Sequence, residues 1–324
     1  MVSLNNYPMV SVLMITYNHE LYIAQAIEGV LMQKVDFEME LVIGEDCSND
    51  STRAICENYA SQYPDKIRLL PSDRNQGMMP NFLRTLDSCH GKYIAMCEGD
   101  DYWTDPLKLK KQVDFLENNS DFSLCIHDVI TIYEGVPKEN PFSCNWTKST
   151  FTFSDVIDNH FIPTLSIVSR RNHIIPIPHW FVNCIVGDIP LELILLSKGD
   201  GFYFHETMGV KRKNIDGITA DKERLKKRVR SFYDMYKNIN CFTEKKYNKN
   251  LKPKIASYER KIAITRFEQR KIILGLIYVL KSFIRDPVQV HKNLNLNKLR
   301  FVSKIIFKRE KVINQKDKER GIAS

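Results

Sequence analysis

Residues Lys92–Trp103 read KYIAMCEGDDYW, and this stretch decides the fold. A short apolar run, too brief for a helix and rich in strand formers, ends abruptly in a carboxylate-rich turn. The same grammar precedes it. Val10–Thr16 (VSVLMIT) reads as a buried strand, Glu40–Gly44 (ELVIG) as a second and Ile67–Leu70 as a third, so Lys92–Cys97 is the fourth. Helical spacing fills the intervals over 20–33, 50–63, 81–88 and 106–118, and Ser123–His127 reads as a fifth strand. Near-continuous apolar strands alternating with helices predict an α/β fold, with a mostly parallel sheet covered on both faces.

Ligands bind such sheets beyond the carboxyl ends of the strands. Three polar clusters stand there: Thr16-Tyr17-Asn18-His19 after strand one, Glu45-Asp46-Cys47-Ser48-Asn49-Asp50 after strand two and Glu98-Gly99-Asp100-Asp101 after strand four. No GxGxxG and no GxxxxGK[ST] occurs, so the common phosphate cradles are absent. A nucleotide bound here needs a cation against its phosphates. Asp100 and Asp101 supply the means: adjacent carboxylates repel unless they share a cation, and magnesium is typically held by one or two carboxylates plus substrate phosphates.

The length of 324 residues, with 43% hydrophobic and 27% charged residues, excludes a disordered or low-complexity chain. The longest uncharged apolar run near the C-terminus, Ile272 to Leu280, is far short of the roughly 20 residues that span a bilayer. The N-terminal stretch lacks a basic region and a small-residue cleavage site, so no signal peptide is expected. The eight cysteines form no CxxC pair or zinc spacing and read as reduced core thiols of a cytoplasmic protein. The histidines show no HExxH and read as structural or exposed. Charge is divided sharply. Residues 1–220 carry 18 Lys+Arg against 29 Asp+Glu, residues 221–324 carry 29 against 10, and the whole chain is +8. The break predicts two parts, a domain over 1–220 and a basic helical extension over 221–324.

Several ordered blocks resemble the family 2 glycosyltransferases, which have the GT-A (Rossmann-like) fold. They are Val10–Asn18; Leu41–Thr52, close to the family's DDGSxDxT; Asn75-Gln76-Gly77; Gly91–Ile94 leading into Glu98–Asp101; and Gly187-Asp188-Ile189-Pro190-Leu191. The match spans roughly residues 8–215, and the resemblance implies a nucleotide-sugar-binding half at 1–130 and an acceptor-side half at 131–220 of the first domain. The resemblance implies a nucleotide-diphosphosugar donor, UDP-linked in the first instance, a divalent cation (Mn2+ or Mg2+) and inversion at the anomeric carbon. Carried over, Thr16, Tyr17 and Asn18 line the nucleotide pocket. Asp46 meets the base, Asp100 the ribose, Asp101 the metal, and Asp188 is the general base toward the acceptor hydroxyl. Lys211, Arg212 and Arg74 are candidate phosphate cations. Two departures stand out: Gly99 occupies a position that often carries a carboxylate, with Glu98 one earlier, and Asn214 stands where histidine is usual. Tyr102 and Trp103 are expected to support the loop.

In the basic extension, the pattern over 257–286 combines the apolar run with Arg266, Arg270, Lys271, Lys281 and Arg285, and a second amphipathic helix is expected over 299–313. Basic amphipathic helices can lie in a membrane interface, and attraction to anionic lipid adds about 1 kcal/mol per Lys or Arg near the surface. The expectation is peripheral attachment to the inner face of the cell membrane, where a glycan or lipid-linked glycan acceptor in surface polysaccharide biosynthesis is found. No helix-turn-helix or RNP-like signal points to nucleic acid. The alternative reading is an inactive GT-A scaffold or membrane-binding module. A nucleotidyltransferase would need a glycine-rich basic loop after strand one, which Tyr17-Asn18-His19-Glu20 is not.

Overall fold

The structure is a computed structural model, and it describes residues 7–133, 139–142, 146–213 and 222–287. It divides into two compact units, one built from the chain up to Asp221 with Cys241–Thr243, the other from Lys222–Asn240 and the chain from Glu244 onward.

In the first unit the chain alternates β1 (Val10–Thr16), α1 (Ile23–Leu31), β2 (Met39–Glu45), α2 (Thr52–Gln62), β3 (Ile67–Leu70), α3 (Met78–Asp87) and β4 (Tyr93–Met96). Then come β5 (Tyr102–Trp103), α4 (Lys108–Asn118), β6 (Phe122–Tyr133), β7 (Glu139–Phe142), β8 (Thr150–Phe151), α5 (Phe153–Asp158), β9 (Val168–Arg170), α6 (Asp188–Leu196) and β10 (Asp200–Lys213). The strands form one mixed sheet in the order β3-β2-β1-β4-β9-β6-β10-β5. The first four are parallel. β9 runs antiparallel to both β4 and β6, and β10 is parallel to β6. This is the α/β GT-A architecture with helices on the sheet faces. The expected helices and strands are present with ends shifted by a few residues, apart from β6, which runs well past the expected Ser123–His127.

β1 is central because both faces are apolar: Val10, Val12, Leu13 and Met14 are all buried. α1 covers one face with Ile23, Ala26, Ile27 and Val30, the i, i+3, i+4, i+7 stripe of an amphipathic helix. α4 adds Leu109, Val113 and Leu116 to the same core. Each such side chain contributes about 1.5–3 kcal/mol on full burial. The rigid slab holds the carboxyl ends of β1, β2 and β4 along one edge.

The second unit contains α7 (Lys222–Phe242) up to Asn240, α8 (Asn248–Glu268) and α9 (Ile272–Arg285). The single pattern read over 257–286 is two helices. Arg270 adopts a left-handed φ of 58°, which ends α8 and starts the turn into α9. The helix expected over 299–313 and the departure at Asn214 lie outside the described residues.

Candidate active site

Parallel register brings the three polar clusters together. Thr16 is level with Glu45, and the Asp46 amide donates to the Thr16 carbonyl at 3.1 Å. Asp46 is buried, and both its carboxylate oxygens are engaged, accepting the Gln76 N–H at 2.9 Å and the Gly77 N–H at 2.8 Å. The expected base-binding residue therefore also ties the β3–α3 loop to the end of β2. Gly77 sits at φ 89°, a conformation that favours glycine. Asn18, at φ 56°, accepts the Asn49 N–H through Oδ1 at 2.9 Å and donates its own N–H to Ser48 Oγ at 3.0 Å. Tyr17 is partly exposed, and its hydroxyl accepts the Asn49 side-chain amide at 3.3 Å. Arg74 lies exposed on the β3–α3 loop.

After β4 the chain continues along β1: the Cys97 N–H donates to the Leu13 carbonyl at 3.1 Å, the Gly99 N–H to the Ile15 carbonyl at 3.0 Å. A Cβ on Gly99 would stand 2.6 Å from Thr16 Oγ1 and 2.8 Å from Thr16 Cβ. A side chain at this position would require Thr16 to move. Glu98, Asp100 and Asp101 offer oxygens within 4.8 Å of one another, the one such group among the described residues. Burial, then the charges of Asp100 and Glu98, push the Asp101 carboxyl well above its usual range. Burial, then Asp100, raises Glu98 to about 7, with Lys211 opposing. Three crowded carboxyl groups, all hard oxygen donors, suit a divalent cation, which removes their mutual repulsion.

The end of β10 closes this loop. Gly209 and Val210 pair with Trp103 and Tyr102, and the Arg212 N–H donates to Asp101 Oδ1 at 2.8 Å. The Arg212 guanidinium donates to the Asp100 carbonyl at 2.7 Å and to Gln25 Oε1, and its centre lies 4.9 Å from the Tyr22 ring and 4.6 Å from the Tyr102 ring. It clamps the acidic loop. Trp103 is buried, donating to the Leu165 carbonyl at 2.9 Å. Under it lies Lys108, fully buried, its Nζ 4.0 Å from the indole centre and 2.7 Å from Gln112 Oε1. Burial pulls this amine down to about 7. The sequence reading did not single out Lys108.

Asp188 is the first residue of α6, and its Oδ1 accepts the Ile189 N–H at 2.8 Å. A cavity of about 190 Å³ brings Asp188 together with Glu98 and Lys211, over an apolar floor that includes Ile15, Met79, Phe82 and Met96. One turn along α6, the buried Glu192 lies 3.0 Å from His160 Nε2. Burial pulls the His160 imidazole down, but the hydrogen bond to Glu192 and its charge outweigh this and raise it. Burial raises Glu192, with His160 opposing. The available signal for Glu192 was its i, i+4 spacing from Asp188, which puts both carboxyls on one helix face.

Residues 11–171 match the family model described as Glycosyl transferase family 2. The chain belongs to this family. A relative of unassigned role in Mycobacterium tuberculosis is 35% identical over 216 residues, covering 64% of this chain and 60% of its own. The chain thus spans about 60% of that relative's length. The putative teichuronic acid biosynthesis glycosyltransferase TuaG of Bacillus subtilis is 26% identical, covering 75% of this chain and 96% of its own. Among solved structures, S. aureus TarS with UDP superposes with a TM-score of 0.56 at 16% identity, covering 78% of this chain and 71% of the other. The Pyrobaculum calidifontis mannosyltransferase PcManGT, in complex with GDP-Man and Mn2+, gives 0.53 at 12%, covering 88% of each. These two likenesses show that the chain shares their fold.

Proposed function

We propose that the protein is a metal-dependent, inverting glycosyltransferase that moves a sugar from a nucleotide-diphosphosugar to a hydroxyl of a lipid-linked glycan, in bacterial surface polysaccharide biosynthesis. The observation that carries this reading is the shared cavity: a carboxylate of the acidic loop, Glu98, and a separate carboxylate, Asp188, face one space together with Lys211. One-step displacement at an anomeric carbon needs such an arrangement, with negative charge handled on one side and a proton taken on the other.

In this reading Asp101, with Asp100 and Glu98, holds the divalent cation. When bound, the cation supplies Lewis-acid stabilisation to the departing diphosphate. Asp188 takes the proton from the acceptor hydroxyl as its oxygen attacks the anomeric carbon, and the sugar–phosphate bond breaks on the opposite face. General-base help of this kind is typically worth about 10²–10⁴-fold. Lys211 and Arg74 are the cations proposed to meet phosphate oxygens. Thr16, Tyr17, Asn18 and Asp46 are assigned to the nucleoside, and Asp100 to its ribose. Arg212 acts through the loop it clamps. Because the cavity floor is apolar, fixed charges at its rim count for more than they would in solvent.

UDP-sugars are the first donors to try, and the C-terminal region is assigned to an anionic membrane surface. No helix among the described residues is long and apolar enough to cross a membrane, so attachment would be at the surface. The direct test is turnover of UDP-, GDP- and dTDP-sugars with and without EDTA, in the wild type and in Asp188→Asn. The expected result is EDTA-sensitive turnover, reduced at least about 10²-fold in the variant. Full turnover by Asp188→Asn removes the mechanism. Failure of every nucleotide-sugar to bind in calorimetry would favour the inactive scaffold.

A further inference from the structure

The helix pair α8–α9 is packed the wrong way round for a helix whose surroundings are water. α9 spans Ile272–Arg285, and its buried positions are Gly275 and Ser282, seven residues apart and so on one face. That face meets α8. A Cβ on Gly275 would stand 2.4 Å from the Phe267 ring, the Ser282 hydroxyl donates to the Ala256 carbonyl at 3.1 Å, and Arg260 donates to Ser282 Oγ at 3.0 Å. At the end of α9, Arg285 reaches the buried Glu259 at 2.9 Å. Small and polar groups therefore face the protein.

The large aliphatic groups face outward. Ile273 is 75% exposed, Leu280 60% and Ile284 72%, and Leu276, Ile277 and Phe283 are exposed beside them. Positions 273, 277, 280 and 284 follow the i, i+4, i+7, i+11 spacing of one helix stripe, with 276 and 283 along its edge. Single exposed leucines are ordinary, but a contiguous apolar face marks an interaction surface. Lys271 precedes the helix and Lys281 lies on it, both exposed. Residues 221–324 carry 29 Lys+Arg against 10 Asp+Glu.

We infer that the outward face of α9 is a membrane-docking surface, which lies in the plane of an anionic bilayer and sinks Ile273, Leu276, Ile277, Leu280, Phe283 and Ile284 into the boundary between headgroups and acyl chains. The inference deepens the membrane partner proposed above by naming the surface, and it is independent of the sugar chemistry. At 14 residues the helix is about 21 Å long, against a hydrocarbon core of about 30 Å, so it lies along the interface rather than crossing it. Apolar burial and attraction of the flanking cations to anionic lipid add together in such a site. The inversion of the helix favours lipid over water as the partner of its outer face. The surplus of positive charge favours an anionic lipid surface over a second copy of an equally basic region.

The test uses the full chain and vesicles of phosphatidylcholine with and without phosphatidylglycerol. Co-sedimentation of the wild type is expected with the anionic vesicles. Leu280→Asn and Ile284→Asn are each expected to weaken it about tenfold, consistent with partial loss of one buried aliphatic side chain. A Leu280→Trp variant is expected to shift its emission to the blue on binding and to be quenched by brominated lipid. Thermal midpoints of the Asn variants should stay close to the wild type, because these side chains are mostly exposed. Vesicle binding unchanged in both Asn variants but lost in high salt would leave the charge-driven partner standing and overturn the docking face. A fall in thermal midpoint, or a wild-type dimer that the Asn variants dissociate, would show the face covered by the chain itself or by a second copy, and would overturn it equally.

Discussion

Arg212→Met separates two roles for one side chain. The family resemblance makes Arg212 a phosphate cation, whereas the structure spends its guanidinium on the Asp100 carbonyl, on Gln25 and between two tyrosine rings. Methionine keeps much of the stem and removes the charge. Hydrogen bonds from a charged group are worth about 1.5–3 kcal/mol each, and a partly exposed cation–π contact about 0.5–1 kcal/mol. Water can partly replace the lost donors, so the expected cost is about 2–4 kcal/mol. For a unit of this size that lowers the thermal midpoint by roughly 5–15 °C. The Asp101 contact to the backbone N–H of residue 212 is not removed by the substitution. The decisive assay pairs thermal unfolding with calorimetric binding of UDP in EDTA, where no cation assists. A clamp loses stability and keeps UDP affinity in EDTA nearly unchanged. An unchanged midpoint with tenfold or weaker UDP binding would refute the clamp and restore the phosphate role.

Other outcomes follow from the same contacts. Gly99→Ala forces a Cβ to within 2.6 Å of Thr16 Oγ1, and urea unfolding should report a loss of about 1–3 kcal/mol, typical of overpacking; an unchanged midpoint would mean that the loop yields freely. Asp46→Ala strips the acceptor from the Gln76 and Gly77 amides, and hydrogen exchange at those two amides should accelerate by at least tenfold, with equal rates telling against the tether. Lys108 holds its proton less tightly when folded than when unfolded, with its pKa depressed from 10.5 to about 7. Its contribution is therefore fully present above pH 10.5 and is lost as pH falls toward 7. At 1.36 kcal/mol per pH unit the linkage is on the order of 5 kcal/mol across that window. Urea unfolding of Lys108→Met should show a flatter pH dependence there than the wild type, and parallel curves would contradict the burial argument.

The first half of the fold was legible because its strands are short and mostly apolar, so each apolar run bounded by turn residues has one reading. Val10–Thr16 and Ile67–Leu70 carry the expected bounds. β5 and β8 were not legible: two residues carry no period, and their pairing with β10 is a tertiary event. The reversal at β9 likewise depends on neighbours 75 residues away in sequence, such as Ile94 opposite Ser169. In the site, strand-end position and the family resemblance singled out the carboxylates but not their second partners. The tie from Asp46 to the amides of residues 76 and 77, the Arg212 clamp and the His160–Glu192 pair all join segments at least 30 residues apart. In α9, an apolar run looked the same in sequence whether it faced the protein or away from it; the small residues Gly275 and Ser282 were the clue to its orientation.

The central claim is that the acidic loop grips a divalent cation together with the donor's diphosphate. Its most direct measurement is a Mn2+ titration followed by electron paramagnetic resonance, with UDP present, in the wild type and in Asp101→Asn. The account predicts one tightly held Mn2+ per chain in the wild type, and binding weakened by at least tenfold in the variant. Equal Mn2+ binding by the two proteins would contradict it.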